Sequence, residues 1–312
     1  MLDLTNAAPR AVNNLVRPDK AFKVFAAPLY DHAGHKIDER VVRGVYRDDT
    51  NEVIATCGAA FKPVQHYQAL DPVLDYFEGA GYAIEERKPT RHGLYDLAGK
   101  KGVFLTTGFA KNGAVMRTDI ITGDFIQPTG STGYLDKGPD TMLFKISVLN
   151  SHDGSLAVHI NTSYERLICM NGMTRPSFKA GVYGKHTQNF SIEAMKRQID
   201  NALSAMEADA DTFGLWATTR LSQDKAAEVL KKTIAKQKAR GQEPSFSERF
   251  VTAILDRFAR EDQTVWGLYQ AVTWWQTHAE TKANSNALTT LINRENRVAQ
   301  MLRTEEWKAL AA

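Results

Sequence analysis

Residues 142–163 read Met142-Leu143-Phe144-Lys145-Ile146-Ser147-Val148-Leu149-Asn150-Ser151-His152-Asp153-Gly154-Ser155-Leu156-Ala157-Val158-His159-Ile160-Asn161-Thr162-Ser163. The stretch predicts two strands, Met142–Leu149 and Ser155–Ser163, joined by the turn Asn150–Gly154. The turn ends in Asp-Gly, a pair whose backbone accepts the positive φ of a tight connection. Side chains alternate across a strand. Met142, Phe144, Ile146 and Val148 therefore share one wholly apolar face, and Leu143, Lys145, Ser147 and Leu149 share a mixed face that carries Lys145.

Upstream, Ala21–Leu29, Glu39–Tyr46 and Glu52–Gly58 are rich in Val, Ile and aromatics and are separated by polar turns, so they read as strands. His66–Glu78 interrupts them: Leu70, Val73, Leu74 and Phe77 recur at helical spacing and the pattern stops at Gly79. Strand-like stretches resume at Tyr82–Arg87, Lys101–Phe109 and Ala114–Ile121.

Downstream the period changes to 3.6. Ile192, Met195, Ile199, Ala202, Met206 and Phe213 form one stripe behind Ser191 as N-cap. Gln223–Arg240 reads as a second helix ending at Gly241, and Ser245 with Glu248 forms a capping box for a third. Thr264–Thr281, whose Trp266, Tyr269, Trp274 and Trp275 read as packing residues, and Ala287–Trp307 complete a helical C-terminal region. The expected class is α+β: a mainly antiparallel sheet with crossing helices in the N-terminal two-thirds, then an all-helical region. The expected domains are 1–215, for nucleic acid, and 216–312, for oligomerisation or a partner.

The chain has 312 residues, 43% of them hydrophobic and 24% charged, enough to bury a substantial core. No apolar run approaches the ~20 residues that span a bilayer, and Met1–Arg17 lacks the apolar block of a signal peptide. A location in the cytoplasm of the cell that makes it is expected. Cys57 and Cys169 both lie in apolar surroundings and read as buried free thiols.

No catalytic motif stands out. The nearest approach to a phosphate loop, Gly93 to Lys101, has glycines one residue too far apart and places Lys101 where a magnesium-binding hydroxyl belongs. His32 and His35 have no further ligands at metal spacing. No cofactor and no metal is expected.

Net charge is only +3, so position matters more than total. From Arg166 to Ile192 there is no Asp or Glu, while Arg166, Arg175, Lys179, Lys185 and His186 alternate with Phe178, Tyr183 and Phe190. Cations neutralise phosphates and ring faces stack bases, at about 1–3 kcal/mol per base, so this composition suits a single-strand groove; it equally suits a solvated connector. The basic run 231–240 reads as a solvated helix face.

Leu149-Asn150-Ser151-His152-Asp153-Gly154-Ser155, then Arg166-Leu167-Ile168-Cys169-Met170-Asn171-Gly172-Met173, resembles the pattern of a family catalogued as domain of unknown function 932. Thr264-Val265-Trp266-Gly267-Leu268-Tyr269-Gln270-Ala271-Val272-Thr273 is similar to that family's Trp-Gly-x-x-Asn-Ala-Val-Thr block, with Gln270 in place of Asn. Phe61-Lys62-Pro63-Val64-Gln65 resembles its early Tyr-x-Pro element. The resemblance implies a phage- or plasmid-borne protein, with kinship to single-strand annealing proteins of the Red-beta type.

The expectation that follows is an oligomeric protein, a ring or filament, that binds single-stranded DNA and anneals strands without ATP. A phage exonuclease or a host single-strand-binding protein would be a further partner, and a membrane would not. Arg166, Arg175, Lys179 and Lys185 are the expected phosphate contacts, Tyr183 the stacking residue and Lys145 a secondary contact. Asn150, His152, Asp153 and Gly154 are expected to fix a turn. Two alternatives stand beside this: a non-catalytic phage protein that binds a host or phage protein, and a metal-dependent DNA-processing enzyme using His152 and Asp153.

Overall fold

The computed structural model describes residues 22–88, 90–111, 113–127, 141–167, 172–174, 192–235, 247–279 and 287–310. The chain is α+β. A three-stranded antiparallel sheet in the order β1 (Val24–Ala27), β2 (Arg43–Arg47), β3 (Val53–Cys57) comes first. A six-stranded sheet follows, in the order β4 (Ala83–Glu86), β5 (Gly102–Ala110), β6 (Val115–Ile126), β7 (Met142–Ser151), β8 (His159–Arg166), β9 (Gly172–Thr174). β5–β6 and β8–β9 pair antiparallel and β4–β5 pair parallel, so the larger sheet is mixed.

Two compact units divide the chain, and the division falls inside β6, β7, β8 and the helix over Ile192–Ser204. The first comprises residues up to Asp124, 145–161 and 180–200. Its helix α1 (His66–Gly79) buries Ala69, Leu70, Val73, Leu74 and Phe77, the stripe that the 3.6 period selects. The α1 N-terminus is tied to β1 twice: the Val24 amide donates to the Gln65 side-chain oxygen at 3.0 Å, and Gln65 Nε2 donates to the Val24 carbonyl at 2.7 Å. A short helix α2 (Arg91–Leu97), which the sequence pattern did not announce, is capped by Thr90 accepting from the Gly93 amide. The Lys100 carbonyl stands 1.9 Å from where a Cβ at Gly123 would lie, so only glycine lets β6 pass there.

The second unit comprises residues 125–144, 162–179 and 201–312. The apolar stripe expected to run through Phe213 is broken at Ala205, between α3 (Ile192–Ser204) and α4 (Met206–Thr218). α5 (Gln223–Ala235), α6 (Ser247–Phe258), α7 (Val265–His278), α8 (Ala287–Met301) and α9 (Glu305–Lys308) follow. The periodic run Ala287–Trp307 is therefore two helices, because Thr304 caps a new start by accepting from the Trp307 amide. Helix α7 is buried on nearly every side, with eleven buried residues that include the polar Gln270, Thr273 and Gln276, and packs against α4, α6, α8 and β9. It is the central helix of this unit rather than an amphipathic one. Phe213 stacks on Tyr269 at 5.7 Å and meets Trp266 at 5.2 Å, and Trp216 lies between Tyr269 and Trp307.

Candidate nucleic-acid interface and the motif residues

In the Asn150–Ser155 segment, Asn150, Ser151, His152, Asp153 and Ser155 are each held by a hydrogen bond or ring contact. Asn150, wholly buried, donates through Nδ2 to the Val64 carbonyl at 2.8 Å and lies 3.0 Å from His66 Nδ1. His66 Nε2 is 2.8 Å from the Gly113 carbonyl, which can only accept, so that nitrogen carries the hydrogen and Nδ1 accepts from Asn150. Ser151 Oγ donates to the Leu156 carbonyl and accepts from the Leu156 amide, closing the turn at its base. His152 is buried with its ring stacked on His66, centroids 3.7 Å apart, and its amide donates to the Ala114 carbonyl at 2.6 Å.

Asp153 accepts from the Ser155 amide and hydroxyl and from Lys111 Nζ at 2.6 Å. Loss of solvent pushes its carboxyl up, but Lys111 and Ser155 outweigh that and hold it below the ordinary carboxylate value. Gly154 takes φ +69, and a Cβ there would meet the Phe61 ring at 3.4 Å. Asn150 and His152 are thus joined to the start of α1 and to the β5–β6 turn, and Asp153 to Lys111 in that same turn. The chemistry displayed is that of a braced turn. The partners His66 and Lys111 were not legible as such, since they lie 86 and 42 residues from the side chains they meet; the one hint was that His66 follows the Phe61–Gln65 element.

The sequence places Lys145 on the mixed face of the hairpin, as a secondary DNA contact. Every residue of β7 is buried, and Lys145 is 5% exposed. Its charge acts on Asp119, which also accepts from Arg117 Nε at 2.9 Å and from Ser147 Oγ. Desolvation raises the Asp119 carboxyl, and the Arg117 and Lys145 charges more than offset it, leaving the group ionised below its usual value. An ammonium buried beside a carboxylate does not reach a nucleic-acid phosphate, so Lys145 is a residue of the sheet's internal polar cluster.

Arg166, half-buried at the end of β8, donates through Nη1 to Gln270 Oε1 at 3.0 Å. Two residues earlier Tyr164 donates to Asp209 of α4 at 2.6 Å. Tyr164 and Arg166 share one face of β8. Burial, with the Asp209 charge nearby, raises the Tyr269 hydroxyl well above its ordinary value, so it stays a phenol. Arg175, Lys179, Tyr183 and Lys185 lie outside the described residues, as do Cys169 and the capping pair Ser245 and Glu248.

Among the described residues no group of three or more His, Cys, Asp or Glu is gathered as a metal site, and no helix is long and apolar enough to cross a membrane. No curated protein and no solved structure matches the chain. One family model does, over residues 58–304, a span that takes in the braced turn, Arg166 and the Trp266-Gly267 block with Gln270; the chain belongs to the family described as Domain of unknown function (DUF932).

Proposed function

We propose that the protein binds single-stranded DNA and anneals complementary strands without nucleotide hydrolysis, acting as an oligomer in the cytoplasm of a bacterium that carries a phage or plasmid. The observation that carries this reading is the acid-free stretch 166–192, with its four Lys and Arg side chains and three interleaved aromatics. Annealing requires neutralising two polyanions while the bases stay accessible, and cations with ring faces supply both without a catalytic residue. Arg166, Arg175, Lys179 and Lys185 take phosphates in this reading and Tyr183 stacks a base; Lys145, being buried, takes no part. A phage exonuclease or a host single-strand-binding protein fits as a further partner that delivers or covers the strand.

The test is fluorescence annealing of two complementary oligonucleotides without ATP at several salt concentrations. Single-strand affinity falls with log[salt] at a slope of about 0.7 per phosphate neutralised. The Arg175/Lys179/Lys185→Ala variant is expected to lose annealing and to lower that slope by about 2. Wild-type protein that neither binds nor anneals single strands overturns the reading.

A second reading, recognition of a protein partner, has its own observation. Of the eight exposed large hydrophobics among the described residues, Phe25, Tyr30, Ile37, Val41 and Val53 lie on or beside the three-stranded sheet. A clustered apolar surface is a mark of protein contact.

A further inference from the structure

Strand β3 is the edge of the three-stranded sheet, and no strand among the described residues pairs with its outer side. Its sequence, Val53-Ile54-Ala55-Thr56-Cys57, holds no charge, proline or glycine. Natural edges are ordinarily blunted by those residues, because a bare row of amides and carbonyls recruits another strand. The register shift between β2 and β3 is confined to the Val53 end; Ala55, Thr56 and Cys57 stay in regular register with Val45, Gly44 and Arg43.

The face beside this edge is apolar and open. Phe25 stacks on Tyr46 at 5.7 Å, Tyr46 pairs with Val53, and Phe25 and Val53 are 44% and 47% exposed. The cations around it are outweighed by acids, and three are paired within the chain: Arg40 with Asp38, Arg47 with Asp49, and Lys36 with Glu39. A surface without an excess of cations has no field to draw in a polyanion. It fits an uncharged polypeptide strand. These strands also precede residue 58, where the family match begins.

We propose that β3 pairs with β3 of a second copy of this chain, antiparallel about Thr56, fusing two three-stranded sheets into one of six. Three short strands with an open apolar face are near the lower limit of independent stability, and doubling the sheet relieves that. A strand with no charge can lie antiparallel to itself without setting like charges opposite one another, and the two-fold closes the assembly at two copies. The inference stands apart from the DNA reading, because none of these strands belongs to the cationic stretch.

The test is sedimentation equilibrium of the full chain without DNA, comparing wild type with Thr56→Lys and Thr56→Glu. Thr56 is exposed, so the single chain accommodates either side chain. Wild type is expected to dimerise. Each variant alone places like charges together on the two-fold and is expected to weaken the dimer by about five- to tenfold. An equimolar mixture of the two variants is expected to restore it, which a misfolded variant could not do. Wild type that stays monomeric, a dimer indifferent to both substitutions, or a mixture that fails to reassociate each overturns the proposal.

Discussion

The Arg166 guanidinium donates to the side-chain oxygen of Gln270 at 3.0 Å, across 104 residues of chain. The bond joins the residue that opens the acid-free stretch to the central helix α7, through a side chain only 2% exposed. Gln270→Ala removes the acceptor, and a buried hydrogen bond to a charged group contributes about 1.5–3 kcal/mol. The expected outcome is an unfolding free energy lowered by that amount, read as a lower urea midpoint at unchanged slope. Gln270→Asn, which shortens the side chain by one methylene, is expected to fall between the two. A midpoint that does not move with Gln270→Ala would mean that the pair is not a fastening point.

Gly267 follows Trp266 for a steric reason. A Cβ there would lie 1.9 Å from the Asp262 carbonyl oxygen and 2.9 Å from its carbon, both backbone atoms that cannot swing away. Thr264, the N-cap, accepts from the Gly267 amide at 3.1 Å, so the first turn of α7 is held against that carbonyl. Gly267→Ala is expected to cost about 3 kcal/mol or more. Gly79→Ala, where nothing lies within 4 Å, is the control and is expected to stay within about 0.5 kcal/mol of wild type. Thermal unfolding of the pair separates a packing constraint from a generic dislike of the substitution.

How much of this was legible follows from the range of each interaction. The α1 stripe at Leu70, Val73, Leu74 and Phe77 is a local period, and the helix lies where that period puts it. The Asn150–Gly154 turn was legible from Asp-Gly, and Gly154 has the positive φ that the pair implies. The break at Ala205 was not, because the apolar stripe continues in phase across it and only backbone geometry interrupts the helix. The burial of Lys145 was hidden for a different reason. Alternation shows which residues share a face, not what covers that face, and the compensating Asp119 and Arg117 come from a neighbouring strand. For the same reason the sequence did not foretell that Asn150 and His152 close against His66.

Burial lowers the His159 imidazole below its ordinary value by penalising the charged form. The unfolded chain therefore takes up a proton at this position at higher pH than the folded one. Stability attributable to His159 is unaffected above the unfolded pKa of about 6.5, falls as pH drops through it, and levels off below the folded value. Comparing wild type with His159→Gln by chemical denaturation between pH 8 and pH 5 (about the range in which histidine titrates) checks this. The difference in stability between the two is expected to shift in favour of the variant as pH falls. Parallel profiles would show that the site admits the proton when folded.

Asp153 offers the sharpest separation between a braced turn and a catalytic carboxylate. Its side chain is 11% exposed and bonds Lys111, which is 42% exposed, and the two Ser155 donors. In a double-mutant cycle of Asp153→Ala and Lys111→Ala, the coupling is expected to be about 0.5 kcal/mol, small because the Lys111 end is screened by solvent. Asp153→Ala alone is expected to cost more than Lys111→Ala, because it also removes the acceptor for the Ser155 amide and hydroxyl. The Asp153 carboxyl is held below its usual value, so the ion pair contributes above the unfolded pKa near 3.8 and is lost as pH falls through the folded value. Coupling present at pH 6 and absent in strong acid fits an ion pair that fastens the β5–β6 turn to Asp153. A cycle without coupling at pH 6, together with magnesium-dependent loss of DNA integrity that Asp153→Ala abolishes, would instead assign the carboxylate to metal-dependent cleavage and displace the annealing reading.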